Sequence, residues 1–112
     1  MLKVVLLRFN LDRKKLGLTV GEANRFYRRL YGYHSSSFYG KYHNWVDGLL
    51  DEINGRKVAN SAILVPETSY SQLTNYLNEN GATVEIVSED IFIEEDEFRN
   101  IKSMGKDEVT PK

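Results

Sequence analysis

The sequence predicts an α+β fold in one domain. Three observations carry this expectation: apolar runs of strand length, apolar residues recurring every three or four positions, and a chain long enough for one core but not two. Of the 112 residues, 41% are hydrophobic and 28% charged, the proportions of an ordinary globular protein.

Residues 3–9 (KVVLLRF) form a short run rich in branched apolar side chains, the pattern of a buried central strand. Residues 10–18 (NLDRKKLGL) read as a basic loop. Thr19 and Glu22 then make a T-x-x-E capping box that opens a helix over 20–31. On it Val20, Ala23, Phe26, Tyr27, Leu30 and Tyr31 share one face, Arg25, Arg28 and Arg29 fall on the other, and Gly32 is the stop. Residues 33–37 (YHSSS) read as a polar connection whose serines cap a second helix. In that helix Phe38, Tyr42, Trp45, Leu49 and Ile53 keep the period up to Asn54 and Gly55, which places Trp45 inward. Gly40 and Gly48 each cost it about 1 kcal/mol of propensity, or mark close packing.

Residues 58–65 (VANSAILV) read as a second buried strand, ended by Pro66. Thr68 or Ser69 caps a third helix with Tyr70, Leu73, Tyr76 and Leu77 inward and Gly81 as its stop. Residues 83–87 (TVEIV) alternate like a strand with one wet face, 91–93 read as a short edge strand, and 94–104 as an acidic helix. The order is β-α-α-β-α-β, and 58–87 has the pattern of a right-handed parallel crossover. A ferredoxin-like two-layer sandwich with an extra helix after the first follows, with a compact three-layer α/β fold as the alternative. The expected domain spans 1–104, and 105–112 read as a flexible tail.

Composition excludes several functions. With no cysteine there are no disulfides, thiolate zinc sites or cysteine nucleophiles, and only His, Asp and Glu remain as metal ligands. The early apolar run at 4–7 is too short for a signal segment and meets Arg8, so a cytoplasmic chain with no membrane span is expected. The net charge of -1 conceals a division. Residues 1–60 hold eleven Lys and Arg against five Asp and Glu, whereas 61–112 hold four against eleven. Such asymmetry suits a polyanion-facing first half and an acidic, solubilising or partner-facing second half.

Residues 25–45 (RFYRRLYGYHSSSFYGKYHNW) concentrate eight of the thirteen aromatics, four fixed positive charges, two histidines and three serines, with no acid. Nucleic-acid sites favour this mixture, since cations neutralise phosphates, aromatic faces stack on bases, and hydroxyls bind backbone oxygens. A helix-turn-helix reading puts Ser35, Ser36, Ser37, Tyr39 and Lys41 at the start of the second helix. Tyr31, Tyr33 and Tyr39 are the aromatics expected to be exposed, because they lie at or beside helix ends. His34 and His43 are nine apart and lack the spacing of a helical metal pair, so no metal site is assigned. Asp12, beside Asn10 at the end of the first strand, is the one catalytic candidate, since open sheets place functional groups there. The acids at 85, 89, 90 and 94–97 read as an acidic edge that discourages strand pairing.

The stretch from Asn60, NSAILVPE, then SYSQLTNYLNENGATVEIV and SEDIF, resembles the second half of the Cas2-like ferredoxin domain, which also occurs at the C-terminal end of PaaX-type repressors. The opening VVLLRFNLDRKK is similar to that family's first strand and basic loop, with Asn10 at the family's aspartate position and Asp12 two residues later. The resemblance implies a dimeric ferredoxin-like domain that handles nucleic acid.

The reading that follows is non-enzymatic nucleic-acid binding or regulation by a homodimer, without cofactor or metal, with DNA or RNA as partner. Arg25, Arg28, Arg29 and Lys41 meet phosphates, and Tyr33, Tyr39 and Ser36 make closer contacts. Two alternatives are a protein-interaction module whose acidic C-terminal half docks a basic partner, and a metal-dependent nuclease using Asp12 and a histidine.

Overall fold

The computed structural model describes residues 1–37 and 42–105, with the side chains of 36, 37, 42 and 43 excepted. Its elements run β1 (Leu2–Asn10), α1 (Arg13–Leu16), α2 (Val20–Tyr31), β2 (Tyr33–Ser37), β3 (Tyr42–Val46), α3 (Leu49–Ile53), β4 (Arg56–Ala59), β5 (Ala62–Pro66), α4 (Tyr70–Glu79), β6 (Thr83–Ile93) and α5 (Glu95–Asn100). The fold is α+β. Four strands form one sheet in the order β4-β5-β1-β6 with antiparallel neighbours, and β2 and β3 make a separate hairpin.

β1 is a continuous apolar run because both faces of the sheet are covered. Val5, Leu7 and Phe9 point to a core shared with Phe26, Leu30, Leu50, Ile53, Leu73 and Leu77 from α2, α3 and α4. Val4 points the other way, to a second cluster with Leu64 and Phe98, bordered by Leu2, Leu6, Ile91, Ile93 and Ile101. α5 and the chain after it therefore close the back of the sheet. The two strands of the expected crossover, β5 and β6, run in the same direction but are not neighbours: both pair antiparallel with β1, which lies between them.

Several sequence expectations are corrected. The second helix does not form; its place is taken by the β2–β3 hairpin and the five-residue α3, while residues 38–41, with Phe38, Tyr39, Gly40 and Lys41, lie outside the described residues. Backbone crowding at Gly48 explains part of this. A Cβ at Gly48 would collide with backbone atoms of Leu30, Tyr31 and Gly32, so the chain crosses the end of α2 there and a continuous helix has no room. Trp45 is accordingly half-buried on the hairpin rather than in the core. The 58–65 strand is a hairpin, β4 and β5, turning at Asn60 and at Ser61, whose φ is 60°. The two strands expected at 83–87 and 91–93 are one, β6, in which irregularities of register against Val4, Leu6 and Leu7 absorb the break in alternation. The acidic helix is confined to Glu95–Asn100, and residues 10–18 contain the short helix α1. The tail expected at 105–112 lies, beyond Gly105, outside the described residues. Among the described residues no helix is long and apolar enough to cross a membrane.

Candidate nucleic-acid interface

α2 carries part of the basic surface. Thr19 Oγ1 accepts from the Glu22 N–H and Glu22 Oε1 from the Thr19 N–H, both at 3.1 Å, so the capping box fixes where α2 starts and hence which way each arginine faces. The bond donated by the Thr19 N–H, and after it the nearby Thr19 hydroxyl, hold the Glu22 carboxyl below the usual carboxylate range, and the Arg25 charge adds to the effect. Arg25 and Arg29, one turn apart, line the same cleft of about 180 Å³ with Leu11, Leu18, Glu22, Phe26 and Asn80. Both are exposed, and neither forms an ion pair among the described residues.

The loop that supplies Leu11 and Leu18 also carries Arg13, Lys14 and Lys15, all exposed on α1. Asp12 caps that helix: its Oδ1 accepts from the Lys15 N–H at 3.1 Å. Gly17, with φ 69°, reverses the chain, and the Leu18 N–H donates to the Arg13 carbonyl at 2.9 Å. Leu16 packs against Gly81 after α4, which ties the loop to the body of the fold. Arg25 and Arg29 thus line the cleft, and the loop that supplies Leu11 and Leu18 to it carries three more exposed cations, which composition marks as basic but which are not among the expected site residues. The signal available was the R-K-K run itself, in a loop that returns to the start of α2.

Arg28 faces elsewhere. With about 100° of rotation per residue, it leaves α2 about 60° from Arg25 and about 100° from Arg29, and its guanidinium turns to lie 4.7 Å from the centre of the Tyr33 ring on β2. The expected residues therefore divide: Arg25 with Arg29, and Arg28 with Tyr33. Ser36 sits on β2 opposite His43, its side chain outside the described residues, and Tyr39 and Lys41 lie outside them altogether.

Tyr31 is not the exposed aromatic expected. Its ring stacks on Tyr27 at 6.2 Å and sits beside Phe9, with the Lys57 ammonium 4.6 Å from its centre. Its hydroxyl is buried without a well-formed hydrogen bond among the described residues; burial pushes it above the usual tyrosine range, and the Ser61 backbone close by offsets this only in part. The His34 ring meets Trp45 edge-on at 4.9 Å, and the Trp45 indole N–H donates to Asp51 Oδ2 at 3.0 Å, so this cluster braces the hairpin against α3. Among the described residues no three His, Asp or Glu side chains are grouped as a metal site would require.

Comparison with protein families, with curated proteins and with solved structures finds no match to this chain.

Proposed function

We propose that this chain binds nucleic acid through the cleft between α2 and the 11–18 loop. The single observation that carries the reading is the pair Arg25 and Arg29 lining that cleft, with Glu22 as the one carboxylate among its lining residues, beside a loop whose short helix exposes Arg13, Lys14 and Lys15. Cations that are not tied to protein carboxylates are free to neutralise phosphates. The fixed backbone at Asp12, Gly17 and Thr19 presents them without a large ordering cost. Phosphate contacts of this kind position a strand without reading its sequence. Arg28, with Tyr33 beneath it and Ser36, Tyr39 and Lys41 in the adjoining segment, forms a second candidate contact for a strand that crosses α2.

The strand order β4-β5-β1-β6, with α2 and α4 as the two crossing helices, supports a ferredoxin-like reading of the fold in which β2, β3 and α3 are an insertion. A homodimer, which the family resemblance implies, would present two such clefts to one nucleic acid and raise the affinity without new contacts. The nuclease alternative is disfavoured because the Asp12 carboxylate is engaged as a helix cap.

The test is fluorescence anisotropy of labelled single- and double-stranded DNA and RNA of about 20 nucleotides at low salt, where the electrostatic contribution is largest. Binding to at least one of them, weakened in Arg25→Ala and Arg29→Ala while the melting temperature is kept, is the expected result. Absence of binding to all four removes the proposal.

A further inference from the structure

The two margins of the sheet are finished differently. Along β4 the chain after α5 forms a cover: the Met104 N–H donates to the Lys57 carbonyl at 2.8 Å, the Lys57 N–H to Ser103 Oγ at 2.9 Å, and Arg56 Nε to the Ile101 carbonyl at 2.8 Å. β6, the longest strand, pairs only with β1 among the described residues. Its outer edge therefore presents backbone donors and acceptors to solvent. Ile86 stands opposite Leu7 and Phe92 opposite Lys3, which puts both on the helix-covered face of the sheet, yet they remain 43% and 57% exposed. The helices do not reach this margin. Between it and α4 lies a groove of about 400 Å³, with Tyr70 on the helix side, Ile86 on the strand side, and Glu67, Glu89 and Asp90 around Lys3. Lys3 Nζ lies 2.8 Å from Glu67 and 3.8 Å from Asp90. One cation among three carboxylates leaves the groove negative.

We propose that the β6 edge and this groove dock an extended, basic peptide segment of another protein. The segment adds a short strand to β6 and lays alternating apolar and Lys or Arg side chains against Ile86, Tyr70 and the carboxylates. Charge selects this occupant over a second copy of the chain: β6 against β6 would bring Glu89 and Asp90 of both copies together, with no cation on β6 to offset them. The register irregularities divide β6 into two regular stretches, 83–86 and 91–93, so pairing is short and the groove supplies the selectivity. This site lies on β6 and α4 and is independent of the basic cleft.

The probe is an end-blocked, fluorescein-labelled decapeptide of alternating Lys and Val, with its Glu-Val counterpart as control, titrated with the full chain. The Lys-Val peptide is expected to bind at least about tenfold more tightly than the Glu-Val peptide, and to slow amide exchange within 83–86 or 91–93. Glu89→Lys with Asp90→Lys, both on exposed side chains, should weaken it at least about tenfold without lowering the melting temperature. The Arg25→Ala, Arg29→Ala pair should leave it unchanged, which separates this result from the fate of the nucleic-acid reading. Equal binding of the two peptides, unaltered exchange in β6, or full affinity in the charge-reversed variant overturns the proposal. So does a dimer of the protein alone that the charge-reversed variant dissociates, since the occupant would then be a second copy.

Discussion

Tyr31 shows how a single group can be placed in a core by its ring at the expense of its hydroxyl. The ring completes the contacts of Phe9 and Tyr27, while the buried hydroxyl forms no good bond. An unsatisfied buried donor costs roughly 1–3 kcal/mol, so Tyr31→Phe should unfold in urea at the same or a higher midpoint than the parent chain. Glu22 gives a pH signature. Its carboxyl is held below the ordinary range in the folded chain, so its contribution is fully present above the unfolded value and is lost as pH falls through the folded one. Relative to Glu22→Gln, the parent chain should gain stability as pH rises through the carboxylate range, and thermal melts across that range read the difference. The Thr19 and Glu22 box was legible in the sequence because its chemistry is local. Asp12 was legible only as an acid near a strand end; that its Oδ1 accepts from the Lys15 N–H and caps α1 is a structural fact the sequence does not show.

Among the elements, α2 was readable from end to end because its apolar period, its capping box and Gly32 agree. The hairpin was not. β2 and β3 lie outside the main sheet and so lack the alternating apolar face that identifies a strand, while Tyr42, Trp45 and Leu49 happen to fall at helical spacing. Gly48 carried a partial signal, close packing, and its reason is backbone contact with the end of α2. Gly48→Ala should therefore destabilise by about 3 kcal/mol, the upper range for an overpacked site, measured by chemical denaturation. α5 was expected as an acidic helix over 94–104 with no core residue assigned to it, and Phe98 is 2% exposed in the second core. Its isolation among acids hid it from a periodicity argument. Phe98→Ala should cost about 3–5 kcal/mol, and hydrogen exchange should show the loss spreading to β4, whose edge is held by the chain after α5.

At the scale of the molecule, the charges of the two halves of the chain partly interleave: Lys3 pairs with Glu67 and Arg8 with Glu85. The basic loop and the Arg25 flank of α2 lie at one cleft, and the open strand β6 with its carboxylates forms another surface. The linear count in the sequence did not show those pairs, nor that Arg28 would turn to Tyr33, because such pairing depends on which elements pack side by side. The central claim, that the cleft is a phosphate-binding surface, is tested most directly by the salt dependence of duplex DNA binding. Five phosphate contacts predict a slope of log K against log salt of about -4.5, and removing two in Arg25→Ala, Arg29→Ala predicts about -2.7 with folding intact. A slope unchanged by that double substitution would contradict the account.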